Sequence, residues 1–190
     1  MGVRAVAIRA YREGLGALSA STIGSLLAGI VLSGLKAEFR VLPGLLVLVP
    51  ALLATRGNVY GSLGARIATA LHQGLLTPSL FSHAERQRLK SAVVAALASG
   101  ILTSAFAAIA ASVFLWVLSE PAALRALLAV AVLAGLLSGI ALSVIVIAVV
   151  FVGYRRGYNP DTLVGPAVTT TGDIFGVFFL YLAVKVVLAL

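Results

Sequence analysis

The run Ala122–Phe151 limits most what this chain can fold into: its thirty residues carry one charged side chain, Arg125. A helix of that length rises ~45 Å at ~1.5 Å per residue, more than the ~30 Å hydrocarbon core of a bilayer. Runs of similar character lie at 14–35, 43–76, 91–118 and 162–190. The pattern predicts an all-α integral membrane protein, with one five-helix transmembrane domain over 14–190. Composition agrees, since 61% of the 190 residues are hydrophobic and 11% are charged. A soluble domain carries about 25% charged residues. The excess apolar surface suits a lipid solvent, whose tails are as apolar as the side chains facing them.

Residues 1–13 read as a short amphipathic helix on the membrane surface, with Arg4, Arg9 and Arg12 interleaved with Val3, Val6, Ala7 and Ala10. No small-residue cleavage site of a signal peptide is apparent. Lys36, Glu38 and Arg40 close the first span. Ser82–Lys90 reads as a polar loop, Glu120-Pro121 as a tight turn, and Gly153–Asp161 as the last loop. With the N-terminus cytoplasmic, Arg4, Arg9, Arg12, Arg86, Arg88, Lys90, Arg155 and Arg156 fall inside, and Lys36, Arg40 and Arg125 outside. The positive-inside rule therefore predicts a multi-pass cell-membrane protein with its C-terminus outside. The net charge of +8 is thus spent on topology. No aromatic-basic patch accompanies it, so a nucleic-acid partner is not expected. The absence of cysteine excludes disulfides, thiolate metal sites and a cysteine nucleophile.

Asp173 is the carboxylate that stands out. It lies twelve residues past Asp161, roughly 18 Å along a helix, and so deep in hydrocarbon. A charge there costs at least ~2.5–3.5 kcal/mol, and such residues normally face a hydrated path or a partner. Gly165, Thr169, Asp173 and Gly176 share one helix face by their spacing. Pro166 leaves the carbonyl of Thr162 without its helical donor, and Thr169, Thr170 and Thr171 add hydroxyls. On the second span, Arg56, Gly57 and Asn58 also lie at depth. Gly57, Gly61 and Gly64 suit either a helix break that exposes carbonyls or close packing. Arg56 is the obvious partner if Asp173 belongs to a structural ion pair. An oxygen-only site with few carboxylates and no deep histidine suits a hard cation such as Mg²⁺, with Mn²⁺ or other dications as variants. The expected ion path is Arg56, Gly57, Asn58, Gly165 and Thr170, with Asp173 nearest the metal.

Two stretches resemble a known family. Leu48-Val49-Pro50-Ala51-Leu52 through Arg56-Gly57-Asn58 to Ala70 is similar to the second-helix motif of the MgtE and solute-carrier-41 magnesium transporters. Asn159-Pro160-Asp161 through Gly165-Pro166 to Thr169-Thr170-Thr171-Gly172-Asp173 is similar to the fifth-helix motif of the same family. Arg56 before Gly57-Asn58 is closer to the solute-carrier-41 branch. The resemblance implies a homodimer with a cation path near the subunit interface. It implies that Asp173 holds a hydrated ion, that the Thr169 carbonyl contributes, and that Asn58 lines the path. It also implies a single transmembrane unit lacking the cytoplasmic regulatory domains of MgtE.

Two other readings stand beside the cation transporter. One is a secondary transporter of an anionic solute held by Arg56. The other is a structural membrane subunit without transport. An enzyme is not expected, because one deep carboxylate supplies neither a nucleophile–base pair nor a metal cluster.

Overall fold

The computed structural model describes residues 3–78, 82–118, 123–157 and 160–189. Within them the chain forms α1 (Val3–Ser33), α2 (Lys36–Val41), α3 (Gly44–His72), α4 (His83–Val117), α5 (Leu124–Arg155) and α6 (Pro160–Ala189). The described residues contain no strand. Among the described residues four helices are long and apolar enough to cross a membrane: Gly44–His72, His83–Val117, Leu124–Arg155 and the Val164–Ala189 part of α6. Ser21–Ser33 is a shorter apolar segment at the end of α1.

Close approaches at glycines give the helix directions. A Cβ at Gly44 would stand 2.6 Å from Leu127 and 3.1 Å from Leu115, and one at Gly64 would stand 2.5 Å from Val164 and 3.2 Å from Val146. Start meets start and end meets end, so α3 and α5 run parallel. Gly135 faces Ser104 and Gly139 faces Leu97, which makes α4 antiparallel to α5. Gly64 beside Val164 and Gly176 beside Arg56 make α6 antiparallel to α3. Gly24 beside Thr170, and Gly34 beside Tyr181, make α1 parallel to α6. Neighbouring helices with no side chain at these points approach as small-residue packing in membranes allows.

The core has two parts. One gathers Leu35, Leu45, Leu48, Leu52, Leu127 and Leu180, and the other Tyr60, Leu63, Ile67, Leu71, Leu142 and Val150. Large apolar side chains also point outward, among them Ile30, Leu102, Phe106 and Trp116. In water such a surface would aggregate, whereas in a bilayer it meets lipid.

Several boundaries differ from the sequence reading. The Ser82–Lys90 segment is not a loop, because α4 begins at His83. Ser82 Oγ accepts from the Glu85 N–H at 3.1 Å and the Glu85 carboxylate accepts from the Ser82 N–H at 2.9 Å, a reciprocal cap that starts the helix. The backbone of α1 runs unbroken from Val3, with no separation at residue 13 between a surface helix and a span. The side chains of Arg4, Arg9, Arg12 and Asp161 lie outside what is described, as do the Glu120-Pro121 turn and Asn159. The helix α3 does not break at its glycines. It ends at His72, and Gly74 follows the cap with a φ of +68° that suits a residue without a Cβ.

Basic side chains meet loop carbonyls where α3, α4 and α5 come together at one end of the bundle. Arg155 Nη2 donates to the Pro78 carbonyl at 2.5 Å and Arg88 Nη1 to that of Leu75 at 3.3 Å. At the other end, Lys185 of α6 donates to Glu38 of α2 in an ion pair. This hydrogen bond holds the Glu38 carboxyl below the usual carboxylate range.

Candidate functional site

Asp173 lies nine residues into the Val164–Ala189 segment, about 14 Å from its start and about 24 Å from its end. Its carboxylate is half-buried and Oδ2 accepts a hydrogen bond from Ser25 Oγ of α1. Among the described residues no cationic nitrogen lies within 4 Å of it. The wall beside it is small and polar. Gly165 and Thr169 are exposed and Thr170 is half-buried. A Cβ at Gly165 or Gly172 would meet nothing within 4 Å. The threonine hydroxyls donate back along their own helix: Thr169 to Gly165 at 3.0 Å, Thr170 to Pro166 at 2.8 Å, and Thr171 to Ala167 at 2.5 Å. Their lone pairs stay available as acceptors. The backbone of α6 is helical through Thr169, so the Thr169 carbonyl stands in a regular turn.

The antiparallel register of α3 and α6 sets the depth of the other candidates. Gly64 opposite Val164 and Arg56 opposite Gly176 bring Gly57 and Asn58 level with Asp173. A Cβ at Gly57 or Gly61 would again meet nothing within 4 Å. Asn58, however, is exposed on the α4 side. It lines a groove of about 250 Å³ with Ser62, Arg66, Ala95 and Ser99. Within one copy the fold brings Arg56 and Asp173 onto adjoining turns of the α3–α6 contact, but does not turn Asn58 toward the carboxylate.

Arg56 is 3% exposed, and among the described residues its Nε, Nη1 and Nη2 have no hydrogen-bond partner. The ion pair that Arg56 would make if Asp173 were purely structural is therefore not formed in this conformation. Nη1 rests against Gly176, where a Cβ would stand 2.6 Å away. One turn along, Tyr60 is also buried with its hydroxyl unpartnered, wedged between Gly100 and Gly139.

Three contacts escaped the sequence reading. Ser25 was one of several small residues in the first span, and nothing in their spacing singles it out. Lys185 carried a signal that went unused, as the one charge after Asp173 at the helix end facing the Glu38 loop. The tight seat of Arg56 on Gly176 needs the α3–α6 register. Among the described residues no three His, Cys, Asp or Glu side chains gather as a metal cluster. A cation at Asp173 would therefore take its other oxygens from hydroxyls, carbonyls, water or a second copy.

Comparison with known proteins gives two matches. The family model MgtE, described as "Divalent cation transporter", matches residues 49–183. The rat (Rattus norvegicus) protein "Solute carrier family 41 member 3" is 28% identical over 160 residues, covering 81% of this chain and 34% of its own length. The chain thus spans about a third of that relative. No solved structure matches significantly.

Proposed function

This chain belongs to the MgtE family of divalent cation transporters, and on that premise we propose that it is itself a divalent cation channel or transporter, with Mg²⁺ as cargo. The observation that carries this reading is Asp173: a carboxylate in the middle of an apolar segment, held by a neutral hydroxyl and without a cationic partner among the described residues. Such a group is expensive in hydrocarbon unless a path or an ion serves it. Around it Gly57, Gly165, Thr169 and Thr170 leave space and acceptor oxygens for an ion that keeps most of its water.

The functional unit is a homodimer. The open glycines Gly57 and Gly61 of α3 and Gly165 of α6 give a second copy a surface of close approach. Two facing Asp173 carboxylates repel one another until a dication sits between them. The Asn58 groove then lies on the outer flank of the path in each copy. All five of α1, α3, α4, α5 and α6 cross the bilayer. The parallel course of α1 and α6, with α3, α4 and α5 alternating between them, supports that count. The basic end of the bundle faces the cytoplasm. The transport reading leaves no enzymatic role.

Thermal unfolding of the purified protein with increasing Mg²⁺ tests the site. Ligand at a hundredfold over its Kd stabilises by about 2.7 kcal/mol, so wild type should melt later as Mg²⁺ rises and Asp173→Asn should not. Equal responses of the two proteins would sink the assignment. The anionic-solute reading draws on the unpartnered Arg56, but that guanidinium is closed off from both faces in this conformation.

A further inference from the structure

A guanidinium at the depth of Arg56, with all three nitrogens unpartnered among the described residues, is a state that costs free energy and needs a reason. Arg56 lies twelve residues into α3, about 18 Å from its start. A buried charge normally finds a counter-charge. Among the described carboxylates, Glu38 is taken by Lys185 and Glu85 by the Ser82 cap. Asp173 is left. It sits three residues before Gly176, the residue on which Arg56 Nη1 rests, and side chains three apart on a helix are neighbours, ≈ 5–6 Å between Cβ atoms. Room for movement exists at this level, since no atom lies within 4 Å of a Cβ at Gly57 or Gly172.

Resting on the cation-transport reading, we propose that Arg56 is the internal cation with which the transported ion competes for Asp173, and so a specificity-determining residue of the path. In the ion-free protein Arg56 and Asp173 turn toward one another and pair. In the conformation described here Arg56 is withdrawn onto Gly176 and Asp173 is open to an ion. A bound ion shifts the balance toward the withdrawn state by its preference for the free carboxylate. The competition favours dications. A monovalent ion brings Asp173 the same charge as the guanidinium without its five fixed donors, whereas a dication brings twice the charge.

The test measures initial Mg²⁺ and Na⁺ uptake by full-length protein in proteoliposomes, as a function of Mg²⁺ concentration. Arg56→Gln removes the competitor, so the half-saturating Mg²⁺ should fall about tenfold, within the range typical of coupled sites, and Na⁺ uptake should appear. Gly176→Ala presses a methyl into the withdrawn position and favours pairing, so half-saturation should rise. An unchanged or higher value in Arg56→Gln overturns the proposal, as does an unchanged or lower value in Gly176→Ala. If Arg56→Gln does not fold, Gly176→Ala decides alone. Saturable wild-type uptake with unshifted variants refutes the competition and leaves the transport reading standing. No divalent uptake by wild type refutes both.

Discussion

Replacing Gly64 by alanine should loosen the contact that keeps α3 in register with α6. The new Cβ would stand 2.5 Å from Val164 Cγ1, 3.1 Å from Val164 Cγ2 and 3.2 Å from Val146 Cγ1. Val164 is β-branched and sits in a helix, so one χ1 rotamer dominates and the side chain cannot swing away. The helices must part by most of an ångström instead. Overpacking of this kind costs about 1–3 kcal/mol, and the better helix propensity of alanine returns about 1 kcal/mol. The net expectation is a loss of up to about 2 kcal/mol, centred near about 1 kcal/mol or roughly 2–4 °C in Tm for a chain of this size. Thermal unfolding in detergent, with Gly61→Ala beside it, reads the effect. Gly61 has no atom within 4 Å of its Cβ position in the protomer, so that variant should unfold no earlier than wild type as a monomer and lose stability where a second copy covers it. A Gly64→Ala protein as stable as wild type would refute the packing argument and the depth register built on it.

Other expectations follow from single contacts. Tyr60→Phe removes a buried hydroxyl without a partner, and should leave Tm equal or higher, because no hydrogen bond is lost. Ser82→Ala should cost about 1 kcal/mol through loss of the α4 cap, seen as faster hydrogen exchange in the first turn. Glu38 has its carboxyl lowered by Lys185, so the pair stabilises the fold above the ordinary carboxylate range, and this contribution disappears as pH falls through the lowered value. Unfolding measured from pH 7 down to pH 3 should show that loss in wild type and a shallower one in Lys185→Met.

The all-helical membrane character was legible because it rests on long uncharged runs, which no soluble helix needs and which depend on no neighbour. The place of Asp173 along its helix is likewise a matter of counting from the helix start, whereas its depth in a bilayer belongs to the proposal. The start of α4 was readable too, but the polarity of Ser82–Lys90 masked the Ser82–Glu85 cap. What the sequence could not disclose depends on pairs of helices. The hydrogen bond from Ser25 to Asp173 needs the parallel course of α1 and α6. The side of α3 on which Asn58 falls, and the withdrawal of Arg56 onto Gly176, follow from a register that individual helix periodicities leave free. The glycines suited a break or close packing equally. The fold uses Gly64 for packing and keeps Gly57 and Gly61 open inside an intact helix.

The central claim is that Asp173 serves a divalent cation path, and Mg²⁺ uptake into proteoliposomes by wild type and Asp173→Asn, reconstituted side by side, tests it most directly. The account predicts saturable uptake by wild type and none by the variant, with both proteins folded to the same oligomer. Equal uptake by the two would place the path elsewhere and contradict the role given to α6.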